Sequence, residues 1–295
     1  MLYAVGMRSS ALARFIAEHP RLLVLTGAGC STESGIPDYR DAEGGWKRPQ
    51  PILLQKFVTD AAARRRYWAR AFVGFERIRR ARPNAAHRAL AELQRRGGVH
   101  RLVTQNVDGL HQAAGSREVI DLHGRIDRVC CIECGRLSER SALQELLTER
   151  NPVLLERMIE RTAHTAPDGD AELEGPFGEL DVPACGGCGG LLKPDVVFFG
   201  ESVPPERVTA AMDALERADG LLVVGSSLMV YSGYRFAQAA ARLAKPIAAV
   251  NLGRTRADAL LALKVSEPCA RALEFLLAAP SARAEWAEPR AGTPA

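Results

Sequence analysis

The chain alternates short apolar runs with segments of helical periodicity, and this alternation constrains its fold more than any other feature. Strands are predicted at 21–25, 101–104, 118–122, 196–199, 221–224 and 247–250. Apolar residues at helical spacing predict helices at 10–18, 57–78, 84–96 and 234–243, and another that begins at Pro205. Because parallel strands need a crossover connection, this order predicts an α/β fold with a doubly wound parallel sheet.

Two stretches break the alternation and predict insertions into that sheet domain. One is helical and covers 44–83, and the other carries five of the seven cysteines and covers 128–193. The rest of the chain is expected to divide into a sheet-containing lobe, built from 1–43, 84–127 and 194–279, and a frayed tail at 280–295.

Composition excludes several broad classes of protein. Of the 295 residues, 47% are hydrophobic and 25% are charged, which is typical of a globular domain and not of a disordered chain. The net charge of +4 is too small to indicate nucleic-acid binding by itself. The longest apolar runs have strand length, whereas a membrane-spanning helix needs about 20 residues. We therefore expect neither a nucleic-acid nor a membrane partner.

Two Cys-x-x-Cys pairs predict one structural zinc site. Cys131 and Cys134 form the first pair, and Cys185 and Cys188 form the second. Four thiolates complete a tetrahedral zinc shell and leave no position for water or substrate. Cys130 is an alternative ligand, but only Cys131 keeps the two-residue spacing. The other interpretation is two unrelated thiol pairs. The N-terminus lacks a secretory pattern, which favours metal over disulfides and predicts a reducing cytoplasm.

The first predicted strand runs into a glycine turn at 26–35. Gly27 and Gly29 let the backbone approach a pyrophosphate, whose charge is attracted by free amides. Thr32 occupies the position of the third glycine in the dehydrogenase fingerprint, and no acidic ribose ligand is evident about 20 residues further on. These departures argue against a hydride-transferring dehydrogenase. A glycine turn without a ligand is the alternative.

Polar residues follow other predicted strands, at the edge where an open α/β sheet binds its ligand. Gln105, Asn106 and Asp108 can hold ribose hydroxyls and a carboxamide, although an Asx turn is an equally good interpretation. His123 has a side chain that accepts protons near neutral pH, but a lone histidine is often structural. The segments 225–228 and 251–253 follow strands as well, and either is also explained as a simple turn.

Taken together, these motifs resemble those of the sirtuins, the NAD-dependent protein deacylases. The matching pieces are 27–40, 104–111, 122–124, the two cysteine pairs, 193–201, 223–228 and 250–253. Four further pieces resemble the class II branch, which includes a mitochondrial sirtuin: 66–74, 166–170, 191–203 and 225–236. The resemblance implies a large Rossmann-like lobe, a small zinc lobe and a cleft between them.

The resemblance also implies a reaction. NAD is consumed as a cosubstrate: the amide oxygen of an acyl-lysine attacks C1′ of the ribose and expels nicotinamide. His123 is the expected general base, taking a proton relayed from a ribose hydroxyl, and water then yields free lysine and O-acyl-ADP-ribose. Mono-ADP-ribosyl transfer would use the same residues and is kept as an alternative. A zinc-ribbon binding module is disfavoured because the insertion lacks a dense basic or aromatic face.

The matching positions imply the residues that bind NAD. Ala28, Gly29, Asp38 and Arg40 belong to the pyrophosphate and nicotinamide side, Gln105, Asn106 and Asp108 to the ribose and carboxamide, and Gly225, Ser226 and Asn251 to the adenosine end. The remaining expected contacts are Gly27, Ser31, Thr32, Pro37, Tyr39, Val107, His123, Ser227, Leu252, Gly253 and Cys269. Cys269 is equally well explained as a small buried apolar residue.

By the same resemblance, 197–200 and 228–231 hold the acyl-lysine protein substrate between them as an added strand. The sequence departs from the family at Cys30, where isoleucine is usual, and at Phe198, where tryptophan is common. Tyr67 and Arg70 have the form of an anionic-acyl pair, or else match by chance in an Arg-rich helix. The acyl group, the target proteins and the oligomeric state are not indicated, although a monomer fits the sequence.

Overall fold

The computed structural model describes residues 11–47, 51–154 and 179–278. The first helix, α1, covers 11–18. The other helices are α2 Leu54–Thr59, α3 Ala61–Arg80, α4 Ala85–Arg95, α5 Leu110–Ala113, α6 Arg140–Arg150, α7 Pro205–Arg217, α8 Tyr231–Arg242 and α9 Cys269–Leu273. The strands are β1 Leu22–Thr26, β2 Val99–Thr104, β3 Ile120–Asp121, β4 Gly124–Cys131, β5 Leu137–Glu139, β6 Leu192–Val196, β7 Gly220–Val224, β8 Ile247–Val250 and β9 Leu263–Val265.

The main sheet has six strands in the order β3-β2-β1-β7-β8-β9, and every pairing is parallel. Strands β1, β7 and β8 are buried at every residue, because helices cover both faces of the sheet. This order is typical of dinucleotide-binding domains, and it confirms the predicted α/β, Rossmann-like fold. The strand order reverses between β1 and β7, where Thr26 pairs with Val224.

Two apolar cores hold the helices against this sheet. One lies beneath α1, α4 and α9 and includes Leu12, Leu90 and Leu273. The other lies beneath α7 and α8 and includes Leu215 and Phe236. In the described part of the chain, a core thus covers each face of the sheet, and the carboxyl ends of its strands are left open to a ligand.

A second, antiparallel sheet has the order β5-β4-β6. The chain passes from the main sheet into this one at Gly124, which has φ = +83°. A β-carbon there would overlap the Asp195 carbonyl oxygen on β6. Gly124 is therefore required at the junction, directly after His123.

The two predicted insertions share one core. Phe57 of α2 and Trp68 of α3 belong to the same buried cluster as Val129 of β4 and Leu143 of α6. Arg140 is buried there too, with its guanidinium 5.0 Å from the Trp68 ring. The helical and the cysteine-bearing segments thus form a single small lobe beside the main sheet.

Several predicted element boundaries were wrong. The run at 196–199 is not a strand, because β6 ends at Val196. The strand predicted at 118–122 is reduced to two residues, and the helix predicted at 57–78 is two helices, with Asp60 as the N-cap of the second. The class II piece at 166–170 and the tail at 280–295 lie outside the described residues. Among the described helices, none is long and apolar enough to cross a membrane.

Candidate active site

A cleft of about 1020 Å³ opens at the carboxyl ends of β1 and β7, where the strand order reverses. Parallel strands present their last residues along one edge, so polar loops from distant parts of the sequence meet there. Every expected NAD-binding residue lines this cleft except Pro37. The predicted substrate segments 197–200 and 228–231 line it as well.

Two glycine-containing turns interlock at the base of the cleft. The Gly29 amide donates to the Gly225 carbonyl over 2.8 Å, and the Gly27 amide donates to Val224 over 3.1 Å. Gly225 has φ = +64°, and a β-carbon on it would overlap the backbone of Cys30. The two turns therefore pack closely and let a pyrophosphate approach the backbone, although the Gly27 and Gly29 amides are bonded within the protein and are not the free donors that were expected. This geometry fits a dinucleotide.

Ser31, Asn106 and Asp108 form a hydrogen-bonded group beside the glycine turns. The Ser31 hydroxyl donates to Asp108 Oδ2 over 2.7 Å and accepts from Asn106 Nδ2 over 3.1 Å. Asp108 Oδ1 accepts from the Leu110 amide at the start of α5. Both interpretations of this loop thus hold: Asp108 makes an Asx-type turn and also lines the cleft.

Gln105 links the ends of three strands. Its Nε2 donates to the Thr26 carbonyl over 3.1 Å and to Ser226 Oγ over 2.8 Å. Cys269 also lines the cleft, in the same apolar cluster as Cys30, and burial raises the pKa of its thiol to about 12. It therefore lines the cleft as a neutral group, which agrees with the interpretation as a small buried residue.

His123 is half-buried at the carboxyl end of β3, and both of its ring nitrogens are engaged. Nδ1 lies 2.9 Å from the Gln105 carbonyl, which only accepts, so Nδ1 carries the proton. Nε2 is then free to accept and lies 2.9 Å from Ser232 Oγ. Burial lowers the pKa of His123 to about 4. At neutral pH the ring is thus uncharged, with its basic nitrogen facing the cleft.

The four predicted zinc ligands lie together in the small lobe. Their sulfur atoms are all within 4.8 Å of one another. Cys131 Sγ is 3.4 Å from Cys188 Sγ, and Cys134 Sγ is 3.8 Å from Cys185 Sγ. Zinc–sulfur bonds of about 2.3 Å in a tetrahedron place the sulfurs about 3.8 Å apart. The cluster fits a structural zinc, and Cys130 lies outside it.

A model of the Sir2 family matches residues 27–232, a range that contains the glycine turn, His123 and all four clustered cysteines. This chain belongs to the Sir2 family. It is 58% identical, over 94% of its own length and 93% of the relative's, to a protein from Xanthomonas campestris pv. campestris (strain 8004) named NAD-dependent protein deacetylase. A Bordetella bronchiseptica protein of the same name is 61% identical over 88% of this chain and 93% of the relative.

Solved sirtuin structures share the fold. A Sir2 structure with a p53 peptide and NAD+ superimposes with a TM-score of 0.69 at 30% identity, covering 90% of this chain and 95% of that one. A mutant Sir2 homologue in complex with ADP-ribose gives a TM-score of 0.70 at 32% identity, over 90% and 94% of the two chains. The expected family is confirmed, and this chain is a sirtuin enzyme.

Sequence reasoning missed Ser232 and the aromatic rim of this sirtuin's cleft. Ser232 lies in the class II piece 225–236, but its type and position gave no sign that it would face His123. Trp46 packs against Phe199 with ring centroids 5.5 Å apart, and Arg40 lies 3.7 Å above the Trp46 ring. Trp46 was placed in the helical insertion, so only the three-dimensional fold brings it to the cleft.

Aromatic rings line the end of the cleft near the small lobe. Tyr67 and Phe198 line it directly, and Phe57 packs edge-on against both, with centroids 5.3 Å and 5.2 Å away. Arg70, the other member of the suggested anionic-acyl pair, is not among the residues that line the cleft. Aromatic rings thus dominate this end of the cleft, with the Glu201 carboxylate as a charged neighbour of Phe198.

A buried ion pair holds the Phe198 segment in place. The Lys193 ammonium donates to Glu201 Oε2 over 3.0 Å and also lies 5.0 Å from the Phe198 ring. The same Glu201 oxygen accepts from the Phe198 amide over 2.7 Å. This carboxylate thus fixes the backbone of the expected substrate-binding segment.

We expect Lys193→Met to weaken binding of the acylated peptide. Glu201 would lose its cationic partner, and an unpaired, partly buried group costs about 1–3 kcal/mol, which loosens Phe198. The KM for peptide should rise about tenfold, while the KM for NAD changes little. Steady-state kinetics with each substrate varied in turn would measure both. Lys264→Met, which breaks the outer pair with Asp258, is the matched control, and an equal effect there would contradict the proposed role.

Proposed function

We propose that this chain removes acyl groups from protein lysines, consuming NAD and producing nicotinamide and O-acyl-ADP-ribose. One observation carries the proposal: the neutral His123 ring lines the same cleft as the two interlocked glycine turns, whose backbone a pyrophosphate can approach. The relatives named NAD-dependent protein deacetylase and the sirtuin solved with NAD+ and a peptide support it. Bound in the cleft, NAD supplies an electrophilic ribose carbon and a leaving group.

The residues of the chain have distinct roles in this proposal. The glycine turns and Arg40 bind the pyrophosphate, and Asn106 and Asp108 orient the nicotinamide ribose. His123 takes a proton at Nε2, while the Gln105 carbonyl holds the proton on Nδ1 and so fixes the tautomer. In the structure, the Ser232 hydroxyl is hydrogen-bonded to the basic nitrogen of His123, and a ribose hydroxyl of bound NAD would replace it.

The acyl-lysine peptide enters between 197–200 and 228–231. Apart from one bridge between Leu53 and Phe199, neither segment lies in a strand of the described chain. An extended peptide would pair as an added strand with the backbone groups of these segments that are not already bonded, unlike those of Phe198, and its acyl-lysine would reach the wall formed by Tyr67 and Phe198. Backbone pairing reads little side-chain identity, so we expect acceptance of many protein sequences.

Mass spectrometry of acyl-lysine peptides tests the function directly. A panel that carries acetyl, propionyl, lipoyl, branched and succinyl groups would be incubated with and without NAD. We expect NAD-dependent loss of uncharged acyl groups, at least tenfold faster than loss of succinyl. With labelled NAD, soluble acyl-ADP-ribose supports deacylation, whereas label retained on protein would favour ADP-ribosyl transfer instead.

The lowered pKa of His123 predicts that the activity extends unusually far into the acidic pH range. A general base acts in its neutral form, and a pKa of about 4 keeps the ring neutral well below the ordinary value near 6.5. We expect kcat/KM for NAD to stay level between about pH 7 and pH 5.5. An acidic decline centred near pH 6.5, in protein shown by circular dichroism to be folded, would contradict this.

We further infer that the lobes divide as the sequence suggests: 1–43, 84–127 and 194–279 bind NAD, and 128–193 hold the zinc. The helical segment 44–83 packs on the zinc lobe. The class II assignment, a cytoplasmic location and a monomeric state are likewise proposals. Size-exclusion chromatography with light scattering would test the last, with a mass near 32.0 kDa expected.

A further inference from the structure

Three potential metal ligands lie behind the glycine turn, apart from the four clustered cysteines. Cys30, His87 and His111 each place a ligand atom within 4.8 Å of the other two. All three side chains are fully buried, at 1%, 0% and 1% exposure. They come from the turn after β1, the first turn of α4 and helix α5. The fold thus brings together a thiol and two imidazoles that are distant in sequence.

His111 has a buried nitrogen with an unused lone pair. The Thr26 hydroxyl donates to Thr104 Oγ1 over 2.8 Å, so it accepts at its 2.9 Å contact with His111 Nε2. Nε2 then carries the ring proton, and Nδ1 is an acceptor. Within the described part of the chain, Nδ1 has no hydrogen-bond partner. An unsatisfied buried acceptor costs about 1–3 kcal/mol, so this atom points to a missing ligand.

His87 faces the same position and is weakly held. Its ring centroid is 4.8 Å from that of His111. Nε2 is 3.4 Å from Ser31 Oγ, and Nδ1 is 3.3 Å from the Asn84 amide, which are long distances for hydrogen bonds. Binding a metal through either ring nitrogen gives up the bond from the buried Asn84 amide, at a cost of about 1–3 kcal/mol that metal binding has to exceed.

We propose that Cys30, His87 and His111 bind one copper(I) ion. No carboxylate of the described residues joins the set, which disfavours magnesium, calcium and manganese, while thiolate and imidazole suit copper and zinc. Zinc takes four ligands in structural sites, and this set has three. A single thiolate also neutralises a monovalent ion without a further charged ligand.

Binding exchanges one proton for the metal. The Cys30 S–H bond breaks, its proton goes to solvent, and a sulfur–copper bond forms, while both imidazoles bind as neutral rings. The copper is supplied as copper(I) and keeps that oxidation state. With metal–ligand bonds of about 2.0–2.3 Å, as in zinc sites, three ligand atoms in a plane around one ion lie about 3.5–4 Å apart. The present separations of up to 4.8 Å between the three ligand atoms would therefore shorten by up to about 1 Å when the ion binds.

This closure would act on the cleft. Ser31 follows Cys30 directly and contacts His87, Asn106 and Asp108. Movement of Cys30 towards the histidines would displace the Ser31 hydroxyl and weaken NAD binding. This kinetic consequence rests on the proposed function, whereas copper binding itself does not require the enzyme to turn over.

The test uses the full-length, zinc-loaded protein without oxygen, titrated with copper(I) against a coloured copper(I) chelator. We expect one copper per chain beyond one retained zinc, measured by elemental mass spectrometry. X-ray absorption should show one sulfur and two nitrogen ligands on copper. Copper with sulfur ligands only, together with zinc release, would mean that the ion takes the four-cysteine site, and would overturn the proposal.

Variants assign the site independently of activity. Cys30→Ala and Cys30→Val, both apolar replacements at a buried position, should lower copper affinity at least 100-fold while zinc is retained. Cys130→Ser, which alters a thiol outside both clusters, should bind copper like the parent. Unchanged affinity in both Cys30 variants would overturn the proposal.

Bound copper should also raise the KM for NAD in the parent but not in Cys30→Val, and an unaltered KM would overturn the coupling to NAD.

Discussion

Replacing His123 with alanine should reduce the rate of deacylation by about 10²–10⁴-fold, the usual contribution of a general base. His123 lines the cleft with its neutral Nε2 hydrogen-bonded to Ser232 Oγ, which a ribose hydroxyl is proposed to replace, and the described cleft offers no second histidine. Because the His123 ring lines the cleft and lies outside the apolar cores, its removal should leave folding intact. Single-turnover measurement of nicotinamide release and of acyl-ADP-ribose formation would show which step depends on the base.

The control for this variant is its structural integrity. Thermal unfolding and zinc content should match the parent, and NAD should still bind, since the glycine turns do not depend on His123. Loss of zinc or a large fall in melting temperature would show that the histidine has a structural role. As a comparison, Ser232→Ala removes only the hydroxyl that faces Nε2, and it should retain most of the activity.

The main sheet could be predicted because its strands are simple in sequence. Leu221–Val224 and Ile247–Val250 are apolar throughout, as strands buried on both faces must be, and both were placed almost exactly where β7 and β8 lie. The polar residues that come after these strands could be predicted for a related reason, because parallel strands end at the same edge of the sheet and present those residues together. For this reason polar lining residues at strand ends, such as Gln105, Ser226 and Asn251, were identifiable from the strand pattern, whereas Asp38, Arg40 and Cys269 were implied by the resemblance to the sirtuins.

The small lobe was harder to predict for physical reasons. β5 consists of three exposed residues whose conformation is imposed by pairing with β4. The register between β4 and β6 is irregular between Gly124 and Val129, which hides the alternation of apolar and polar residues expected of a strand. The apolar run at 196–199 looks like a strand, but the Glu201 carboxylate takes the Phe198 amide. Long-range polar contacts of this kind have no local sequence signal.

The same reasoning applies to side chains that meet across the fold. The spacing of the four cysteines predicted their association because each pair is local and only the pairs must be joined. Cys30, His87 and His111 follow no metal-binding spacing, and Ser232 is an ordinary serine in a helix. Their proximity depends on packing between helices and the sheet, which periodicity does not specify.

Removing the zinc should have the second-largest effect, collapse of the small lobe. Zinc binding contributes about 10–16 kcal/mol in isolated zinc-finger peptides, comparable to the total stability of a domain at about 5–15 kcal/mol. The four cysteines connect the turn after β4 to the segment that leads into β6. Without the metal, this connection is lost, and Phe198 and the substrate segment lose their support.

Cys131→Ser, with a buried ligand replaced, should therefore lose zinc and unfold at a temperature at least 10 °C below the parent, with activity lost as well. Metal analysis and thermal unfolding would measure both effects. Cys130→Ser is the matched control, because it changes the neighbouring thiol without touching the cluster, and it should keep one zinc per chain. Zinc lost from Cys130→Ser and kept in Cys131→Ser would reassign the ligand.

Since the main sheet has its own two cores, NAD binding should survive longer than peptide binding as zinc is withdrawn by a chelator.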